Sequence, residues 1–214
     1  MKFIRFLLIA ISLLSISATP ASPPQASVPE ITAGLTEAVA GVSPLTGLPS
    51  GWYTSDVTLH IIAPADVLAN GKPMPGGRLT ISDEGQHQVE LQPGPAGQAN
   101  TVTQIVDIDK TAPRVTWITG QNSVVSGSTV IRAEITDATS GICRLESSLD
   151  HGRSWELQYL AWPTASEMPG VDEISWSMER DFTDFPRGAQ ILLLRAHDCA
   201  GNVSPGEILV VRVE

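Results

Sequence analysis

The sequence predicts an all-β fold built of antiparallel sandwiches. Three observations carry that expectation. Apolar residues alternate with polar ones in short segments, the period-2 mark of half-buried strands. Turn-forming clusters interrupt those segments about every 8–15 residues. No long stretch sustains a helical period. The chain has 214 residues, of which 42% are hydrophobic, enough to build a core and too many for disorder throughout. Its formal net charge is -10, without a basic run, which argues against nucleic acid and anionic membrane surfaces as partners.

The N-terminus has the layout of an export signal. Lys2 and Arg5 give a positive start, and Phe6 to Ile16 form an apolar run of 11 residues. A bilayer span needs about 20 such residues. Small residues follow, and cleavage is expected after Ala18 or Ala21; a retained anchor helix is the rival reading. No cysteine stands near the site, so a lipoprotein anchor is excluded. Cleavage removes Lys2 and Arg5 and takes the net charge from -10 to -12. Residues 1–21 are therefore read as signal. Residues 22–50 are rich in Pro, Ala, Ser and Thr without period, and read as a disordered or extended linker.

Two β units are expected after it, at 51–112 and 113–214. In the first, Val57, Leu59 and Ile61 alternate with Thr58 and His60. Asn70-Gly71 and Gly76-Gly77 break the chain, Leu79 to Ile81 and His87 to Leu91 form short strands, and Thr101 to Ile108 closes the unit. In the second, Val115 and Trp117 open the series. Ile131, Ala133 and Ile135 share one face; Cys143, Leu145, Ser147 and Leu149 alternate with Arg144, Glu146 and Ser148. Trp155, Leu157 and Tyr159 follow a tight turn, then Ile174, Trp176 and Met178, then Leu192, Leu194 and Ala196. Leu209, Val211 and Val213 alternate with Ile208, Val210 and Arg212 at the end. About seven strands in about 100 residues is sandwich density.

Several segments resemble bacterial immunoglobulin-like repeats of exported proteins. Gly51-Trp52-Tyr53-Thr54-Ser55-Asp56-Val57-Thr58-Leu59 is similar to the opening strand of such a repeat, and Ile81 to Val89 to its middle. Ile108-Asp109-Lys110-Thr111-Ala112-Pro113 is similar to the junction between tandem repeats. Arg195-Ala196-His197-Asp198-Cys199-Ala200-Gly201-Asn202-Val203-Ser204-Pro205 fits the second unit into the same group. The resemblance implies two tandem immunoglobulin-like sandwiches and a non-enzymatic interaction or structural module, cell-surface, secreted or periplasmic. The first unit departs from the pattern: Pro93-Gly94-Pro95-Ala96-Gly97 stands where an Asp-Gly-Asn turn belongs, so an incomplete sandwich is expected there. A carbohydrate-binding accessory protein or a small secreted hydrolase is the alternative.

In such a sandwich Cys143, at the start of the third strand, and Cys199, after the sixth, fall at one end of neighbouring strands. With export to an oxidising compartment, the resemblance implies a disulfide. A catalytic cysteine with His197 as base is a poor rival, since neighbours on a strand point to opposite faces.

Ser148, Asp150, Gly152 and Trp155 match the Asp-box pattern, which sialidase-like propellers carry several times. It occurs once here, in a chain too short for a propeller, and reads as a structural hairpin turn. Asp137, Asp198 and Asn202 would gather at the disulfide end if the fold holds. Oxygen ligands on turns suit weak calcium; Asx-turns are the plainer reading. The acidic strip Asp172, Glu173, Glu179, Asp181 and Asp184 is expected on a solvated sheet edge. Of the five tryptophans, Trp162 is the one expected to be exposed, and the others to belong to the core. No Ser-His-Asp order, phosphate loop, paired catalytic carboxylates or metal-ligand spacing is present. No catalytic residue, resident metal or cofactor is assigned. The expected partner is an unknown protein or glycan at the cell surface, with no membrane span in the mature chain.

Overall fold

A computed structural model describes residues 32–36, 38, 40–42, 44, 47, 49–62, 67–93, 101–160 and 171–214. The expected signal segment, Gly94 to Gly97 and Trp162 lie outside the described residues. The described chain is all β. The first nine strands are β1 (Thr32–Thr36), β2 (Ala40–Val42), β3 (Pro49–Tyr53), β4 (Val57–Ile62), β5 (Val67–Ala69), β6 (Lys72–Pro73), β7 (Arg78–Ile81), β8 (Gly85–Pro93) and β9 (Val102–Ile108). The remaining eight are β10 (Arg114–Trp117), β11 (Ser123–Val125), β12 (Ser128–Thr136), β13 (Ile142–Ser148), β14 (Glu156–Leu160), β15 (Glu173–Asp181), β16 (Gly188–Asp198) and β17 (Glu207–Val213).

In the first unit a sheet of order β1-β4-β7 faces one of order β2-β3-β9-β8-β5-β6. The alternation in β4 does what its period demands: Val57 and Leu59 are fully buried, and Ile61 nearly so. They pack on Val67, Val89, Leu91, Val106 and Ile108 from the opposite sheet. On β9 the polar-face residue Ile105 is 65% exposed while Val106 beside it is buried. Gly77, at φ 65°, faces the Ile61 carbonyl, where an added Cβ would stand 2.9 Å from the oxygen; glycine alone fits that turn.

The linker expectation fails over part of its length. Thr32–Thr36 pairs antiparallel with β4, Ala40–Val42 pairs with β3, and β3 runs parallel to β9. These strands extend both sheets of the first unit. The physical reason is that β1 and β2 are edge strands and that β1 to β3 lie in a stretch whose residues leave no period-2 signature.

The second unit pairs a sheet of order β10-β12-β15 with one of order β11-β17-β16-β13-β14, with β11 parallel to β17. The apolar faces of β12 and β16 are buried, and on β17 the face of Leu209 is: Ile131, Ile135, Leu194, Ala196 and Leu209 are at 0% exposure. Trp117 and Trp176 meet edge to face at 6.1 Å beside this core. On β15, a sheet edge, Glu173, Glu179 and Asp181 are exposed, as are Asp172 and Asp184 beyond its ends; like charges there oppose pairing with another edge. Among the described residues no helix is long and apolar enough to cross a membrane.

Candidate functional site

The chemistry-bearing residues collect where the connector meets the second sandwich. Cys143 and Cys199 form a disulfide with Cα atoms 5.0 Å apart, within the 4.4–6.8 Å that bridged cysteines show. Their strands are neighbours because β13 pairs antiparallel with β16, which brings Ile142 opposite Asp198.

Beside the bridge three carboxylates converge. Asp109, Asp137 and Asp198 are all buried, and each offers an oxygen within 4.8 Å of the others. Each is held by turn geometry. Asp137 Oδ1 accepts from the Thr139 and Gly141 amides, and Asp198 Oδ1 from Gly201 and Asn202. Asp109 accepts from Thr111 through Oδ1 and from Ser140 through Oδ2. All but the Ser140 bond, which spans 31 residues, are local turn bonds of the Asx kind. Burial pushes the Asp198 carboxyl up to about 7, even against the hydrogen bonds from Asn202; the Asp109 charge adds to the rise. Burial likewise raises Asp137.

Asp137, Asp198 and Asn202 thus come together, joined by Asp109, which the sequence marked only as part of a repeat junction. Asn202 contributes differently from a ligand. Its Nδ2 donates to Asp198 Oδ2 at 2.8 Å and to the Asp109 carbonyl at 3.0 Å, so its amide nitrogen, a donor, faces the carboxylates. Three carboxylates fall short of the six to eight oxygens that calcium takes. Calorimetry on the folded chain is expected to find no stoichiometric calcium site tighter than about 10⁻⁴ M. One tight site, abolished by Asp198→Ala, is the contrary result.

The Asp-box turn is a closed hydrogen-bonded loop. Asp150 Oδ1 accepts from Ser148 Oγ and the Ser154 amide, both at 2.8 Å, and Oδ2 from Ser154 Oγ at 2.6 Å. The Ser154 bonds, first, and then Ser148 hold its carboxyl far below the usual carboxylate range. Ser148 Oγ also accepts from the Gly152 amide, at a glycine with φ 82°. Trp155 packs near Gly152, Leu193 and Gly206, and the Arg195 guanidinium stacks on its ring at 3.9 Å.

A second cluster has no signal in the sequence. Glu146 sits on the face of β13 that alternation assigns to solvent, yet its side chain is only 4% exposed. Its carboxylate accepts from Arg195 Nε at 2.7 Å and His197 Nε2 at 3.0 Å, and pairs with Arg144. Burial alone would raise its pKa; Arg195, His197 and Arg144 outweigh that and hold it below the ordinary value. Burial lowers His197, despite Glu146. His197 therefore serves this ion-pair network and not the bridged Cys199.

The fold and this site define an all-β protein of two sandwiches, antiparallel but for one parallel pair in each, joined at a buried carboxylate cluster. No family model matches the chain, and no curated protein matches it. Among solved structures it is similar to fibronectin(III)-like modules of Clostridium thermocellum CbhA, at 14% identity and a TM-score of 0.34, over 86% of this chain and 94% of that one. It is also similar to a chimeric titin Z1Z2-Z1Z2 tandem, at 13% identity and a TM-score of 0.26, over 85% of this chain and 98% of the other.

Proposed function

We propose that the protein is an exported, non-enzymatic pair of immunoglobulin-like modules of the bacterial repeat kind. It acts as an interaction or structural unit at the cell surface, in the secreted state or in the periplasm. The observation that carries this reading is the junction. Asp109 is fully buried between the units, and Lys110 and Thr111 are bonded to Glu84 of the first. A connector bonded on both sides suits a module that spaces or presents a surface. A disulfide adds resistance outside the cell. In this reading the first unit runs from about Thr32 to Ala112 and the second from Pro113 to Glu214.

Two experiments test it. N-terminal sequencing of native protein is expected to begin shortly after Ala18 or Ala21; a chain that still begins at Met1 overturns export. Glycan arrays and pull-downs with the mature protein are expected to yield a saturable protein or glycan partner without turnover. Hydrolysis of any offered glycan or peptide bond would move the protein into the enzyme class.

A further inference from the structure

We propose that the Cys143–Cys199 disulfide is a redox-sensitive latch that fixes the angle between the two sandwiches. The inference goes beyond the proposed function and rests on the junction geometry, whatever the module binds.

Two loops of the second unit grip the first unit and the connector. Residues 137–141 form one, and its Ser140 amide donates to Asp109 Oδ2 at 3.1 Å. Residues 199–202 form the other. Its Asn202 Nδ2 donates to the Asp109 carbonyl at 3.0 Å, and its Ala200 carbonyl accepts from Ser50 Oγ of the first unit at 3.2 Å. Asp109 is itself tied back to the first unit, its amide donating to the Tyr53 carbonyl at 2.9 Å. Ser140, Ala200 and Asp109 are all at 0% exposure, so the Ser140–Asp109 bond is shielded from water, while the Asn202 and Ser50 bonds are half-buried.

The two loops in turn depend on each other. The Ala200 amide donates to Ser140 Oγ at 3.1 Å, and the Cys199 amide to the Gly141 carbonyl at 2.9 Å. The disulfide lies directly beneath, Cys199 heading one loop and Cys143 two residues beyond Gly141 at the end of the other. Against it work the like charges of Asp109, Asp137 and Asp198, which favour separation of the same loops whenever all three are ionised. No described cation is paired with any of the three. The bridge is thus the covalent element that holds the grip closed.

Reduction by a dithiol breaks the S–S bond. The dithiol supplies two electrons and two protons, becomes a cyclic disulfide, and leaves two thiols at Cys143 and Cys199. The loops are then joined only by hydrogen bonds, and the connector gains freedom while the strand cores stay paired.

The test is hydrogen exchange on the full mature chain, with and without dithiothreitol, below the melting point of the reduced second unit. The expected result is exchange faster by about tenfold or more at the Thr111 and Ser140 amides, with β8 of the first unit unchanged. Small-angle scattering should show a wider spread of inter-unit distances. In the oxidised chain Ser50→Ala and, separately, Asn202→Ala should loosen the connector in the same direction. Ser50 lies outside the second unit, so its variant leaves that fold intact. Connector exchange that reduction leaves unaltered overturns the latch. A spread of inter-unit distances that reduction leaves unaltered also overturns it, because the bridge would then stabilise the second sandwich and not the junction.

Discussion

Reduction of the disulfide is expected to lower the melting temperature of the second unit by about 15 °C or more while leaving the first nearly unchanged. The bridge joins residues 56 positions apart. On the chain-entropy account, closing such a loop removes freedom from the unfolded chain worth about 4 kcal/mol. That is a large part of the 5–15 kcal/mol by which a typical domain is stable, roughly speaking. A 100-residue domain loses about 4 °C or more for each kcal/mol. The first unit contains neither cysteine and its core is separate, built from β4, β5, β8 and β9. Calorimetry of oxidised and reduced protein, with Cys143→Ser/Cys199→Ser as the matched variant, separates the two transitions. Coincident shifts in both transitions, or none in the second, would contradict this partition.

The sequence conveyed most where burial is one-sided. In β4, β12, β16 and β17 every second residue meets a core, and hydrophobic alternation records that directly. It was silent where strands carry no alternation of apolar and polar residues. Residues 32–36 and 40–42 contribute pairing at sheet margins, so a composition suited to a spacer concealed them. The disulfide was implied by the resemblance, which supplied the strand order, together with the expectation of export. The carboxylate cluster was half visible: Asp137, Asp198 and Asn202 belong to turns of one sheet end, whereas Asp109 arrives from the connector and needs the tertiary fold to place it. Glu146 was hidden for the opposite reason. Alternation puts it on an outward face, and only Arg144, Arg195 and His197 closing over it make it buried.

Stability attributable to Asp198 is expected to fall as pH rises from about 4 to about 7. The folded carboxyl titrates near 7, because burial and then the Asp109 charge oppose its ionisation; in the unfolded chain it titrates near its ordinary 3.8. Between those values the folded state keeps a proton that the unfolded state has lost. With more protons bound to the native form, the slope of unfolding free energy against pH is negative. The favourable contribution is complete below the unfolded pKa and gone above the folded one, and it amounts to a few kcal/mol in order of magnitude. Other carboxylates act in reverse. Glu146, Asp56, Asp150 and Asp181 are held below their ordinary values, so their contributions are lost as pH falls. The total profile is a sum of both kinds, and the informative quantity is a difference. Asp198→Asn keeps an acceptor oxygen for the Gly201 and Asn202 amides but cannot ionise. Denaturant unfolding of the second unit across pH 4–8 should therefore show the native protein losing its advantage over Asp198→Asn as pH rises, with the steepest change below pH 7. Parallel profiles for the two proteins would mean that Asp198 is ionised throughout this range.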